Sequence, residues 1–185
     1  MDSNWRQQYV YNTKNIQQIN PIPELVNSLK SLLPQISTSE ITTILTELYN
    51  NSVDHGILNL SSDIKQQFGL EKFYQIRKQK LSDLTEGFVN LNLSYSSEDN
   101  LLTIQIEDSG QGFDYKKYTA MPLMLHKVSG KGLYIIHSLA DKVEYTDSGN
   151  SMTVYYKVRS NEEIMQSTVQ PAETKLSRVF QDRIT

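Results

Sequence analysis

Hydrophobic residues recur along the first third of the chain with the period of helices. Leucines at helical spacing within residues 24–33 predict one helix. Ser37 and Glu40 have the spacing of a capping box, which predicts a second helix from about Thr38 to His55.

The middle of the chain changes from helical spacing to strict alternation. Residues 61–84 place large apolar side chains among many Lys and Gln, which predicts a helical insertion broken near Gly69. Apolar and polar residues then alternate over residues 89–95 and 102–106, so these segments are predicted strands. The polar stretch between them, residues 96–100, is typical of a hairpin turn.

The last part of the chain predicts one more helix and a second pair of strands. Residues 133–139 have helical spacing, and residues 143–146 and 152–158 have the pattern of strands. Residues 161–185 form a polar tail in which a short final helix is expected. We therefore predict one α+β domain over residues 1–160, followed by this tail.

Composition excludes several classes of protein. The chain has 185 residues with a net charge of -3, so it lacks the excess of Lys and Arg that a nucleic-acid binder carries. It has no cysteine, which excludes disulfides, thiolate metal sites and a cysteine nucleophile. No apolar run approaches the roughly 20 residues that span a membrane, and the N-terminus lacks the apolar stretch of a signal peptide. We expect a cytoplasmic protein that binds neither nucleic acid nor membrane.

The first candidate site lies on the predicted helix that ends near His55. Glu47, Asn51 and Asp54 form a row beside its buried stripe. A carboxylate and a carboxamide one turn apart can together hold a hard cation. A solvated helix face is the alternative for the Glu47–Asn51 pair alone, although Asn is a poor helix former that needs a reason to lie within a helix.

The second candidate site follows the strand that ends near residue 108. Asp108 is in phase with the apolar positions of that strand, which directs its carboxylate toward the core. A buried carboxylate needs donors, and the exocyclic amine of a nucleobase is one candidate. Gly110 and Gly112 permit a ligand to approach the backbone closely. An ordinary turn after a strand remains the alternative.

The third candidate site precedes the helix predicted over residues 133–139. Gly130 and Gly132 expose backbone N–H groups to an anion, and Lys131 adds positive charge. The spacing is neither that of a P-loop nor that of a dinucleotide-binding turn. A flexible connector before a helix is the alternative.

In this order, the three motifs resemble the GHKL, or histidine-kinase-like, ATPase superfamily. Residues 47–56 resemble its N box, and residues 108–112 and 130–132 resemble its two glycine boxes. The resemblance covers about residues 20–158. It implies a two-layer α/β sandwich of the Bergerat type, in which helices cover one face of a mixed, mainly antiparallel sheet. It also implies bound ATP and Mg²⁺ beneath a lid formed by residues 113–130.

The resemblance implies a role for each motif residue. Asn51 would coordinate Mg²⁺, and Glu47 would act as general base on a serine hydroxyl or orient the nucleophile. Asp108 would accept a hydrogen bond from the adenine amine. The remaining positions implied to contact the nucleotide are Asp54, Gly110, Gly112, Gly130, Lys131, Gly132 and Thr153. Thr153 is a substitute here, because the family often has Gly-Thr on the last strand and this chain has Ser151-Met152-Thr153 at the matching place.

Within the superfamily, the N box ending in His55-Gly56 and the short lid resemble the anti-sigma-factor serine kinases. The stretch around the N box, the insertion and the strand near residue 90 resemble the C-terminal kinase domain of response regulators that also carry a receiver and a serine phosphatase. Whether the chain is free-standing or a domain of such a regulator is left open.

This resemblance implies a protein serine kinase whose substrate is an anti-anti-sigma (STAS) protein. A sigma factor is a further implied partner, and a homodimer is left open. Two alternatives remain. One is a module that sequesters a partner with nucleotide but without phosphoryl transfer, and the other is a histidine-kinase-type ATPase domain.

Overall fold

A computed structural model describes residues 4–61, 63–112, 131–146 and 148–159, and it shows one sheet with helices packed against it. The strands are β1 (Trp5–Asn12), β2 (Phe88–Ser96), β3 (Leu101–Asp108), β4 (Lys142–Tyr145) and β5 (Ser151–Lys157). Their order across the sheet is β1-β2-β3-β5-β4. The lid predicted over residues 113–130 and the tail predicted over residues 161–185 lie outside the described residues.

Every strand pair that the structure describes is antiparallel, which agrees with the expected mainly antiparallel sheet, and these residues contain no parallel pair. A parallel pair needs a crossover connection of a dozen or more residues between neighbouring strands. Here β2 and β3 are neighbours joined by a turn at residues 97–100, within the predicted turn at residues 96–100, and β5 returns beside β3 in the antiparallel sense. The predicted α+β fold with an antiparallel sheet and a helical layer is confirmed.

The helices are α1 (Thr13–Gln18), α2 (Ile22–Leu32), α3 (Thr38–Asn50), α4 (Asp63–Ser82) and α5 (Lys131–Leu139), and a π-helical segment (Asn51–Ile57) continues α3. Among the described residues, no helix combines the length and apolar character that crossing a membrane requires.

One face of the sheet forms the floor of the core. Buried and half-buried residues alternate along β2 and β3, as the sequence predicted. The buried set, which includes Leu93 and Ile104, forms one cluster with apolar residues of the helices such as Leu29 and Leu48. The polar residues of the alternation, such as Asn92 and Gln105, occupy the other face, where their side chains lie 3.5 Å apart. The helices therefore cover one face only.

The helix predicted to reach His55 changes character at Asn51. Its regular α-helical part ends at Asn50, and the next turn is π-helical, with the amide of Leu58 donating to the carbonyl of Val53 at 2.9 Å. Wide turns of this kind occur often at functional sites. Asn50, Asn51 and Gly56 are weak helix formers, which lowers the cost of leaving the α-helical geometry here.

The capping box predicted at the start of α3 is half formed. The Ser37 hydroxyl accepts from the Glu40 amide at 3.5 Å, as expected. The Glu40 carboxylate accepts instead from the hydroxyl of Tyr156 on β5, at 2.5 Å. The Tyr156 hydroxyl thus takes the place of the local backbone amide as the donor to Glu40. The contact joins the beginning of α3 to the sheet.

The helical insertion forms as predicted and has a sharp break. Gly69 has a φ of 81° and a ψ of 172° within α4, a backbone conformation that favours glycine. Phe73 is the buried anchor of α4. The ammonium of Lys80 donates to the carbonyl of Leu58 at 2.7 Å, which ties the helix to the end of the π-helical segment.

Candidate functional site

Glu47 and Asn51 lie against the first turn of α5. A Cβ atom at Gly132 would clash with the Glu47 carboxylate and would lie 3.6 Å from Oδ1 of Asn51. Glycine at this position therefore leaves room for the Glu47 carboxylate against the start of α5. The structure thus brings together two motifs that are about eighty residues apart in sequence.

The Asn51 side chain has the surroundings of a ligand-binding group. Its Nδ2 atom is buried, and the described residues offer it no hydrogen-bond partner. Leaving such a group unpaired costs about 1–3 kcal/mol, so a polar ligand at this position would relieve a deficit. The Asn51 carboxamide supplies an oxygen donor of the kind that Mg²⁺ takes, with phosphate oxygens and water completing its shell. These residues fit a magnesium–nucleotide complex.

The described residues contain no cluster of three or more His, Cys, Asp or Glu side chains that could hold a metal ion. A dedicated all-protein cage is therefore not part of the described site. Mg²⁺ commonly binds through one or two protein oxygens together with substrate phosphates, which matches a pairing of Asn51 with a nucleotide.

Asp108 ends β3 with its carboxylate directed into the core, as the alternation predicted. The residue is 6% exposed. The amide of Gly110 donates to Oδ1 at 2.9 Å, and the Ser52 hydroxyl also hydrogen-bonds the carboxylate. Burial raises the pKa of Asp108 to about 6, although both hydrogen bonds oppose the rise. A buried carboxylate with remaining acceptor capacity is suited to an amine donor from a ligand.

Two glycines let the turn after β3 press against the π-helical segment. A Cβ atom at Gly56 would clash with the Asp108 carboxylate, and a Cβ atom at Gly110 would clash with the Gly56 carbonyl oxygen. Gly112 has a φ of 76° and lies against the carbonyl of Ser148. The motif glycines therefore form close backbone contacts around Asp108.

The third motif lies partly within the described residues. Lys131 is the first residue of α5 and its side chain is exposed, and Gly132 follows it against Glu47. Gly130 lies outside the described residues. Phosphate contacts for Gly130, Lys131 and Gly132 stay a prediction.

Asp54 differs from the other residues of the predicted row. Its carboxylate is buried and forms an ion pair with Arg77 of α4, with Nε donating to Oδ1 at 2.5 Å. Because a cation of the protein already holds this carboxylate, its observed contact is structural. The helical row of the sequence prediction assumed regular α-helix, whereas Asp54 lies in the π-helical segment, where side chains rotate away from that row.

Thr153 is placed wrongly by the motif comparison. The buried residues of β5 include Met152, Val154 and Tyr156, so alternation turns Thr153 to the face of the sheet without helices. Met152 is paired with Ile106 of β3, two residues before Asp108, on the core face. Thr153 therefore cannot meet a ligand of Asp108, and Met152 holds the core-facing position there.

Sequence analysis assigned no role to four residues that shape the site. The sequence does indicate Ser52, because a hydroxyl residue stands there within the otherwise apolar buried stripe of α3 and its continuation. Gly56 lay within the N box without an assigned contact. Asn150 holds the end of β3, since its Nδ2 donates to the carbonyl of Asp108 at 3.2 Å. Arg77 gave no local signal, because its partner Asp54 is 23 residues away.

The fold and these contacts define the class of the protein. A helical layer covers one face of an antiparallel sheet. On this side of the sheet lie the Asn51 amide, the Glu47 and Asp108 carboxylates and the close-packed glycines of the motifs. The sequence matches the histidine kinase-like ATPase domain over residues 15–156, and the chain belongs to that family, whose domains bind ATP. A comparison with characterised proteins gave no significant match.

Removing the Arg77 side chain should destabilise the domain. Arg77→Ala leaves the buried Asp54 carboxylate without its cation, and breaking a buried pair costs about 3–5 kcal/mol. We expect the free energy of unfolding to fall by about 3 kcal/mol, the lower end of this range, because Arg77 keeps partial exposure to water. Urea unfolding measures the loss, and Lys78→Ala, at the exposed neighbouring position, is the matched control. Equal stability of the two variants would contradict a structural ion pair.

ATP affinity should depend on the ionisation of Asp108. The pKa of about 6 lies above the ordinary value of 3.8, so the ionised carboxylate destabilises the free chain as pH rises through this window. The same ionised form is the one that accepts from an amine, so ATP affinity should fall about tenfold between pH 7 and pH 5 as the ionised fraction falls. Calorimetric titration measures this dependence.

Asp108→Asn is the control for that experiment, since the phosphates of ATP also titrate. The variant should bind ATP more weakly at every pH and should retain only the pH dependence of the phosphates. An unchanged pH profile in the variant would show that another group is responsible.

Proposed function

We propose that the chain is an ATP-dependent protein serine kinase of the anti-sigma-factor type, and that its substrate is an anti-anti-sigma (STAS) protein. The observation that carries the proposal is the position of the Glu47 carboxylate, beside Asn51 and against the first turn of α5. The glycine turn that precedes α5 would bind the phosphates of ATP, so the Glu47 carboxylate lies beside the predicted phosphate site. This position suits a general base for an attacking hydroxyl. The resemblance of the N box to the anti-sigma-factor kinases supports the choice of substrate.

Each site residue has a separate task in this proposal. Asp108 accepts from the adenine amine and fixes the base, and the Ser52 hydroxyl and the Gly110 amide hold its carboxylate in place. Asn51 provides an oxygen ligand for Mg²⁺, which when bound neutralises charge on the phosphates. Glu47 accepts the proton of the serine hydroxyl as its oxygen bonds to the γ-phosphorus, and ADP leaves with the electrons of the broken bond.

Incubation of the chain with Mg²⁺, radiolabelled ATP and the STAS proteins of the same genome tests the proposal. The expected result is phosphoserine on one STAS protein, with little transfer by Glu47→Gln. Tight, ATP-dependent binding of a STAS protein without transfer would replace the kinase by a sequestering module. Phosphohistidine on a partner would identify a histidine-kinase-type ATPase domain instead.

A further inference from the structure

The helical insertion α4 has apolar side chains that the described part of the chain leaves exposed. Phe68, Leu70 and Tyr74 are 64%, 57% and 60% exposed, although Phe73 between them is buried. After the break at Gly69, Leu70, Tyr74 and Lys78 recur every four residues, so they lie along one side of the helix. We call Leu70, Tyr74 and Lys78 the α4 stripe. Exposed apolar residues grouped on one surface mark interaction sites.

A groove beside the α4 stripe extends this surface. It has a volume of about 550 Å³ and is lined by Gln17, Tyr74, Arg77, Lys78, Leu81 and Ser82. The lining contains no carboxylate and two cations, of which Arg77 is already paired with the buried Asp54 carboxylate, so Lys78 supplies the positive charge of the groove. The whole helix carries five Lys or Arg residues and two Asp or Glu residues, although the chain as a whole has a net charge of -3. The α4 surface is therefore locally positive on an acidic protein, which favours an acidic partner.

The same helix is joined to the N box. Arg77 lines the groove and also holds Asp54, which is three residues after Asn51. Lys80 holds the carbonyl of Leu58 at the end of the π-helical segment. A partner that sits in the groove would therefore contact the helix whose side chains fix the segment carrying Asn51.

We propose that the α4 stripe and its groove form the docking surface for the protein substrate, which presents an apolar side chain together with carboxylates. The proposal rests on the proposed kinase function and names the surface by which the substrate is held. The apolar side chain packs on Leu70 and Tyr74, and the carboxylates face Lys78. Docking takes place away from Glu47 and Asn51, so it is separable from nucleotide binding.

Two pairs of variants test the surface against matched changes on the same helix. The apolar test is Leu70→Ala with Tyr74→Ala, and its control is Gln75→Ala with Gln79→Ala on the neighbouring polar side. The charge test is Lys78→Glu, and its control is Lys72→Glu, which reverses an exposed lysine on another side of α4. The residues changed lie at the surface of α4, so all four proteins should fold and bind ATP like the wild type.

Affinity for the unphosphorylated form of the STAS protein that serves as substrate is then measured by calorimetry, with ATP affinity measured on the same samples. We expect the apolar variant to lose about thirtyfold or more in partner affinity, as hot-spot residues do. Lys78→Glu should weaken partner affinity about tenfold at low salt, and both controls should match the wild type.

Other outcomes overturn the proposal in distinguishable ways. Equal partner affinity in all variants, with phosphorylation intact, would contradict the docking surface but not the proposed kinase function. Controls that lose as much affinity as the test variants show a nonspecific effect and also remove it. If the wild type binds no STAS protein, both the proposed function and this docking surface are wrong.

Discussion

Replacement of Glu47 by glutamine is expected to reduce phosphoryl transfer to the STAS serine by about 10²–10⁴-fold, the usual cost of losing a general base. Glutamine keeps the shape of the side chain beside Gly132 but cannot accept the hydroxyl proton. ATP affinity should stay nearly unchanged, because the proposed mechanism places Glu47 against the attacking hydroxyl rather than the nucleotide. Partner binding should also persist.

The measurement is a single-turnover assay with preformed ATP complex, which separates chemistry from binding. Glu40→Gln provides a matched control, since Glu40 lies on the same helix and accepts from Tyr156 rather than facing α5. Wild-type transfer by Glu47→Gln would show that Glu47 is not the base. A large loss of ATP affinity would show that Glu47 acts on the nucleotide or its metal.

Replacement of Asn51 by alanine is expected to have the largest effect on nucleotide binding. The carboxamide is the oxygen donor that the site offers to Mg²⁺, and its buried Nδ2 atom has no partner among the described residues. Loss of residues that only support a metal ligand costs about 10–100-fold in metal affinity, so loss of a direct ligand should cost at least about 100-fold in Mg²⁺-dependent ATP affinity. Transfer should disappear with it.

Calorimetry of ATP with Mg²⁺ and with EDTA measures this effect. The expected signature is a variant whose weak ATP binding no longer responds to Mg²⁺. Asn50→Ala is the matched control, because Asn50 is the preceding residue and its side chain is exposed. An Asn51→Ala variant that retains the wild-type response to Mg²⁺ would remove Asn51 from the metal site.

The sequence predicted most of the fold because its patterns are local. Alternation over residues 89–95 and 102–106 identified β2 and β3, and the same alternation correctly directed Asp108 into the core. Helical spacing likewise identified α2, α3 and α5. A side-chain period of two or nearly four residues is visible within one segment, so no tertiary information was needed.

Features that depend on tertiary contacts were missed. The ion pair between Asp54 and Arg77 joins two helices, and neither residue indicates the other in the sequence. The π-helical segment has tertiary contacts with Asp108 and with Arg77 and Lys80 of α4, which no local pattern indicates, although Gly56 and Asn51 are weak helix formers. Thr153 was a different error, since motif matching was preferred to the strand phase that Met152 and Val154 already indicated.

The central claim is that an adenine nucleotide binds at Asp108, and titration of the chain with ATP and with GTP in the presence of Mg²⁺ tests it most directly. Guanine carries an oxygen where adenine carries its amine, so the buried carboxylate would face an acceptor instead of a donor. Sites built to hydrogen-bond a donor reject analogues that lack it strongly, and we expect ATP to bind at least about 100-fold more tightly than GTP. Equal affinity for the two nucleotides, or no binding of ATP, would contradict the account.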